Sequence, residues 1–220
     1  MKLSEELKEL ILEKSLLQHP FYRAWSAGQL SKDDLRYYAG QYYRQVEAFP
    51  RWVSSVHSRC PNIEVRKVLL KNLVDEEIHG TDHPALWMQF AAGLGLTRAE
   101  TEALPPSKCT QETIDSMYQL TSGDWAAGIC ALFAYEQQVP DVSQSKIEGL
   151  KQFYGISDPQ TLAFFEAHLK YDVEHSREVA NLVDVHAPPE VAKRATHQSA
   201  TALWKFLDGV SEHIGLSRSN

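Results

Sequence analysis

Residues 124–139, Asp-Trp-Ala-Ala-Gly-Ile-Cys-Ala-Leu-Phe-Ala-Tyr-Glu-Gln-Gln-Val, constrain the fold most. The run is apolar almost all round a helical wheel, and such a helix is stable only when other helices enclose it. It reads as the central helix of a bundle, with Glu136 near its end as the one ionisable group on a buried surface.

The rest of the chain supplies the enclosing helices. Ser4 caps a helix whose Leu7, Leu10, Ile11 and Leu17 share a face, and His19-Pro20 ends or kinks it. Ser31 caps a longer one carrying Leu35, Tyr38, Ala39, Tyr42 and Val46 before Pro50, and the pattern continues over 52–57. A third follows from 64 to 76, and Asp82 caps a restart after Gly80. Gly93 and Gly95 close that helix, and Thr97-x-x-Glu100 is a capping box for a short one stopped by Pro105-Pro106. Helices are expected near 110–121 and 143–154, then from Asp158-Pro159 to about 185, and from Pro188-Pro189 to about Gly215. The expectation is an all-α, single-domain bundle of about seven or eight helices over 1–220, with a polar tail from about 216.

Charge and cysteine content narrow the function classes. A net charge of −7 without a basic run argues against nucleic acid or an anionic membrane as partner. No apolar run reaches the ~18 residues of a membrane span, and the N-terminus lacks a signal peptide's apolar core, so a cytoplasmic location is expected. Cys60, Cys109 and Cys130 are far apart and outside any Cys-x-x-Cys pattern, which fits buried small hydrophobes rather than disulfides or zinc.

Two carboxylates stand where the helical period demands apolar side chains, Glu76 and Glu136. A buried unpaired carboxylate costs several kcal/mol, so both require partners. Partners are available on one helical stripe, because His168, Asp172 and His175 at i, i+4 and i+7 point the same way. Together these give three carboxylates and two histidines, the donor types from which bundle di-metal sites are built. Two residues compete for a sixth position. His79 has the Glu-x-x-His spacing from Glu76, whereas His83 lies seven residues on and precedes a proline. Oxygen and nitrogen donors without thiolate suit iron or manganese, and hence dioxygen chemistry.

The motifs His168-x3-Asp172-x2-His175, Ala134-Tyr135-Glu136 and Asp75-Glu76-Glu77-x5-His83-Pro84-x-Leu86-Trp87 resemble those of the haem-oxygenase-like di-metal oxidases. The likeness runs from residue 22 to 175 and is greatest to the para-aminobenzoate synthases related to a chlamydial protein that associates with death domains. It implies a ligand set of Glu76, His83, Glu136, His168, Asp172 and His175, with His79 outside it. It further implies two metal ions, Fe/Fe or Mn/Fe, dioxygen and an external electron donor as co-substrates, and para-aminobenzoate made for folate synthesis without chorismate. By the same resemblance Tyr22 is the source of the aromatic product, Lys146 the amino donor, and Tyr38 and Tyr135 relay residues. Phe164 departs from the tyrosine expected four residues before His168. A homodimer is compatible with this reading and not required by it.

Rival readings share the scaffold. Pyrroloquinoline quinone synthase and thiaminase-like hydrolases are similar in fold but predict a metal-free pocket, the latter with a cysteine nucleophile. A di-iron oxidase acting on an external amino acid or fatty acid would use the same ligands. A non-enzymatic interaction protein would leave the buried carboxylates and histidines unexplained.

Overall fold

The computed structural model describes residues 1–216, apart from the side chains at 170–174. Its elements are α1 (Leu3–Leu12), α2 (Pro20–Ser26), α3 (Lys32–Arg59), α4 (Ile63–Glu77), α5 (His83–Gly93), α6 (Arg98–Ala103), α7 (Lys108–Ser122), α8 (Trp125–Glu136), α9 (Val139–Phe153), α10 (Pro159–His186) and α11 (Pro189–His213). The described residues include no strand, as expected, and eleven α-helices where about seven or eight were anticipated. The surplus includes the two-turn α2, too short to show a helical period in sequence, whereas the equally short α6 is found where its capping box places it.

Local signals set most boundaries. Ser31 and Thr97 form capping boxes with Asp34 and Glu100, and Asp158 caps α10 with Pro159 in its first turn. Pro50 lies inside α3 without ending it. A helix-interior proline costs about 3 kcal/mol. Beyond it, Trp52, Val53 and Val56 are fully buried, and each such side chain returns roughly 1.5–3 kcal/mol. Tertiary burial therefore carries the helix through.

α8 is the enclosed helix, packed by α3, α7, α10 and α11. Two cores meet around it. One is largely aliphatic and gathers the α8 side chains with Leu7, Val53, Val56, Val65, Leu69 and Val183. The other is aromatic, built from Phe21, Tyr22, Trp25, Tyr38, Trp87, Phe90, Phe165 and Phe206. Close helix approaches set α5 against α10 and α9 against α2. A Cβ on Gly93 of α5 would lie 2.2 Å from Thr161 Oγ1 of α10, and one on Gly149 of α9 would lie 2.6 Å from Trp25 Cδ1 of α2. Only glycine permits either contact.

Candidate metal centre

α4 ends at Glu77, and the chain turns through Gly80, at φ +74°, before α5 begins at His83. The helix therefore does not persist from Glu76 to His83. Asp82 caps the new helix by accepting from Ala85 N at 2.8 Å, and Pro84 occupies its first turn, where a missing N–H costs nothing. This break turns His83 back onto Glu76, with Nδ1 2.7 Å from Oε2. His79 instead sits on the surface side, its ring largely exposed and its Nδ1 2.7 Å from Asp75 Oδ1.

Glu76, His83 and His168 each offer a ligand atom within 4.8 Å of the others, and all three are buried. Around one cation, opposite ligand atoms are at most about 4.4 Å apart, twice a metal–ligand bond, so this set fits a divalent ion with little movement. Glu136 lines the same small pocket, of about 10 Å³, together with Val46, Phe49, Tyr135 and Phe164. Its Oε1 accepts from Asn72 Nδ2 at 2.5 Å. His168 Nδ1 donates to the Phe164 carbonyl at 2.7 Å, which fixes the tautomer whose lone pair is on Nε2, the arrangement a metal-binding imidazole needs.

His175 lies two turns further along α10, buried, with Nε2 2.8 Å from Asp75 Oδ2. Burial alone would raise the Asp75 carboxyl, but hydrogen bonds from His79 and His175 outweigh it and hold the group below its usual range. The structure thus gathers Glu76, His83, Glu136 and His168 and leaves His175 against Asp75. The Asp172 side chain lies outside the described residues.

A second cavity, of about 20 Å³, adjoins the first, and Tyr135 and Phe164 line both. Lys146 lines it and is fully buried, its Nζ 4.6 Å from the Tyr42 ring centre, 5.0 Å from Tyr38, 5.2 Å from Phe165 and 5.6 Å from Tyr22 and Trp87. Burial pulls the Lys146 amine well below the ordinary lysine value. Burial likewise pushes the Tyr22 and Tyr38 phenols well above theirs. Tyr22 Oη is 3.0 Å from Tyr38 Oη, and Tyr42 Oη is 2.7 Å from Tyr135 Oη. Phe164, placed where the resemblance expects tyrosine, contributes a plain ring to the wall between the cavities, its centre 4.2 Å from that of His168.

A family profile described as iron-containing redox enzyme matches residues 36–208, most of the chain and all of the first pocket. The chain belongs to the iron-containing redox enzymes. It is therefore an enzyme of oxidation–reduction chemistry. Among relatives of this family member, a 4-aminobenzoate synthase of Chlamydia muridarum is 39% identical over 215 residues, covering 96% of this chain and 91% of the relative. A 4-aminobenzoate synthase of Nitrosomonas europaea is also 39% identical, over 225 residues, with 95% and 91% covered. In fold, it is similar to a domain of unknown function from Shewanella denitrificans with a haem oxygenase-like fold. The TM-score is 0.78 at 18% identity, with 97% of this chain and 92% of that chain covered.

Several residues of this redox enzyme escape sequence reasoning. Tyr42 and Asn72 fall on the expected helix faces, yet nothing in spacing separates a core tyrosine or asparagine from one that touches a site residue. Asp75 had a signal, since it is an acid adjoining Glu76 on a helix whose other face packs inward. Gln45 had one too, a polar residue on the buried stripe of α3. None of the three cysteines lines either cavity, and burial pushes the Cys130 thiol up to about 12, which disfavours the cysteine-nucleophile reading. No helix among the described residues is long and apolar enough to cross a membrane.

Proposed function

We propose that this enzyme makes 4-aminobenzoate, with Tyr22 as the source of the ring and Lys146 as the source of nitrogen. The metal would be held by Glu76, His83, Glu136, His168, Asp172 and His175 as an Fe/Fe or Mn/Fe pair. The observation that carries the reading is the juxtaposition of a fully buried lysine and a fully buried tyrosine beside a carboxylate–histidine pocket. The name borne by relatives 39% identical over nearly the whole chain supports the product class.

A metal pair supplied with electrons would activate dioxygen, the oxidant this chemistry needs. The chain's own residues account for the rest. The Tyr22 side chain is a six-carbon ring plus Cβ, the carbon skeleton of 4-aminobenzoate. Its Cα–Cβ bond breaks and Cβ is oxidised to the carboxylate carbon at the expense of dioxygen. The phenolic oxygen leaves as water as the Lys146 nitrogen bonds to the ring carbon, and the Nζ–Cε bond then breaks with oxidation of Cε, so that the nitrogen leaves with the ring. Lys146 suits the bond to the ring because burial favours the neutral amine, which keeps a lone pair for bonding to carbon. Tyr38 holds the Tyr22 hydroxyl, and Tyr135 stands between the cavities as the relay position.

An external amino acid or fatty acid is a poorer fit. Ligand pockets generally span about 300–1,000 Å³, whereas the cavity beside Lys146 is about 20 Å³. The test is isotopic. Protein carrying ring-13C tyrosine and side-chain 15N lysine is loaded with iron and manganese, reduced and exposed to dioxygen in unlabelled buffer. The expected 4-aminobenzoate carries both labels, and a tryptic peptide loses the side-chain mass at Tyr22. Unlabelled product from labelled protein would overturn the reading.

A further inference from the structure

Gln45 is completely buried in α3, and neither its Oε1 nor its Nε2 has a hydrogen-bond partner among the described residues. Each orphaned buried polar atom costs about 1–3 kcal/mol, so folded proteins supply a partner, by ordered water where no side chain serves. Gln45 lines the cavity that holds Lys146, Tyr42, Tyr135 and Ser143. That cavity, at about 20 Å³, is a little larger than the roughly 10–15 Å³ one water needs.

We propose that Gln45 anchors a water molecule in this cavity, and that the water joins the Lys146 amine to the Tyr42–Tyr135 hydroxyl pair as a proton route toward the metal pocket. The route rests on the reading that Lys146 reacts with Tyr22. As the Lys146 nitrogen bonds to carbon it must shed a proton, and the low-dielectric surroundings offer no carboxylate ion-paired with it among the described residues. The N–H bond breaks and an O–H bond forms on the water. A water proton passes to Tyr42 Oη, the Tyr42 proton to Tyr135 Oη over 2.7 Å, and the Tyr135 proton into the pocket of Glu76 and Glu136, where dioxygen reduction takes up protons. Every O–H broken along the way is remade, and no electrons travel with the protons. A glutamine suits the anchor because its amide both donates to and accepts from water. A carboxylate there would introduce a buried charge, and an aliphatic side chain would leave the water too few partners.

The experiment compares the wild-type chain with Q45M, which keeps length and volume but removes both polar atoms. Crystals of the wild type should show ordered water within hydrogen-bond distance of the Gln45 amide, absent in Q45M. The melting temperature of Q45M should match or fall below that of the wild type, because a water-satisfied amide carries no burial penalty to relieve. A rise of about 3 °C or more would mean a truly orphaned amide and would overturn the anchor, as would a dry wild-type cavity. Single-turnover release of doubly labelled 4-aminobenzoate should slow at least tenfold in Q45M with bound metal unchanged, and Q45E, whose acid burial holds in the neutral form that can both donate and accept, should recover part of it. An unslowed Q45M overturns the route. If the wild type itself releases no labelled product, the function reading and the route fall together, while the crystal and melting arms still decide whether Gln45 holds water.

Discussion

In the pocket of Glu76, His83, Glu136 and His168, buried acids and imidazoles stand against one another, with His83 2.7 Å from Glu76. In the adjoining cavity, Lys146 is an amine ringed by five aromatic side chains with no ion pair among the described residues. The first keeps ionisable groups buried by assembling opposite charges and donors around a place for a cation. The second does it by neutralising them. Ring faces recover about 2 kcal/mol for a desolvated ammonium, against a burial cost of several kcal/mol, so burial shifts the amine toward its neutral form. The same physical problem thus yields gathered acids and imidazoles on one side of Tyr135 and Phe164 and, on the other, an amine that burial pulls toward its neutral form.

Removing a ligand should break the first pocket and spare the second. His168→Ala and Glu136→Ala are expected to lose bound metal and all product, measured by elemental analysis and labelled 4-aminobenzoate. Retention of both in either variant would count against the site. Lys146→Met should do the reverse, abolishing labelled product while metal content stays at the wild-type level.

Lys146→Met also carries a pH signature. Lysine ordinarily titrates near 10.4, and in the folded protein the value is lower. Between the folded value and about 10.4 the unfolded chain holds the extra proton, so wild-type stability rises with pH through that window. The variant lacks this dependence. Its melting temperature should exceed that of the wild type at pH 6 by several degrees, with a narrower gap at pH 9. An equal gap at both would sink the neutral-lysine account.

Smaller effects sharpen the boundary. Asn72→Ala removes the hydrogen bond to Glu136 Oε1 and should weaken metal binding about 10–100-fold, as loss of a residue that orients a ligand commonly does. Tyr22→Phe removes the phenolic oxygen and with it the contact to Tyr38. It should cost about 1 kcal/mol by denaturant titration and leave metal affinity unchanged. A metal defect in Tyr22→Phe would show that the two cavities are not energetically separate.

Much of this was legible in sequence because it depends on local rules. Caps at Ser31, Thr97 and Asp158 and the all-apolar α8 follow from backbone satisfaction and burial, which neighbouring residues largely dictate. Glu76 and Glu136 stood out because a carboxylate on an apolar face violates those rules. The choice between His79 and His83 was not local. Spacing favoured the former, and the turn through Gly80 with the proline in the first turn of α5 placed the latter against Glu76.

The amino-acid order by itself determined an all-helical chain, a central buried helix, a stripe of histidines on one helix and two acids misplaced on apolar faces of others, since periodicity and desolvation act along the chain. Only the tertiary structure decided that Lys146, a lysine on an amphipathic helix, is enclosed by Tyr22, Tyr38, Tyr42, Trp87 and Phe165 from four other helices. The same holds for the orphaned amide of Gln45 at the cavity wall. Protonation state and hydrogen-bond satisfaction depend on what surrounds a group in three dimensions, and the chain order does not contain that until the helices have packed.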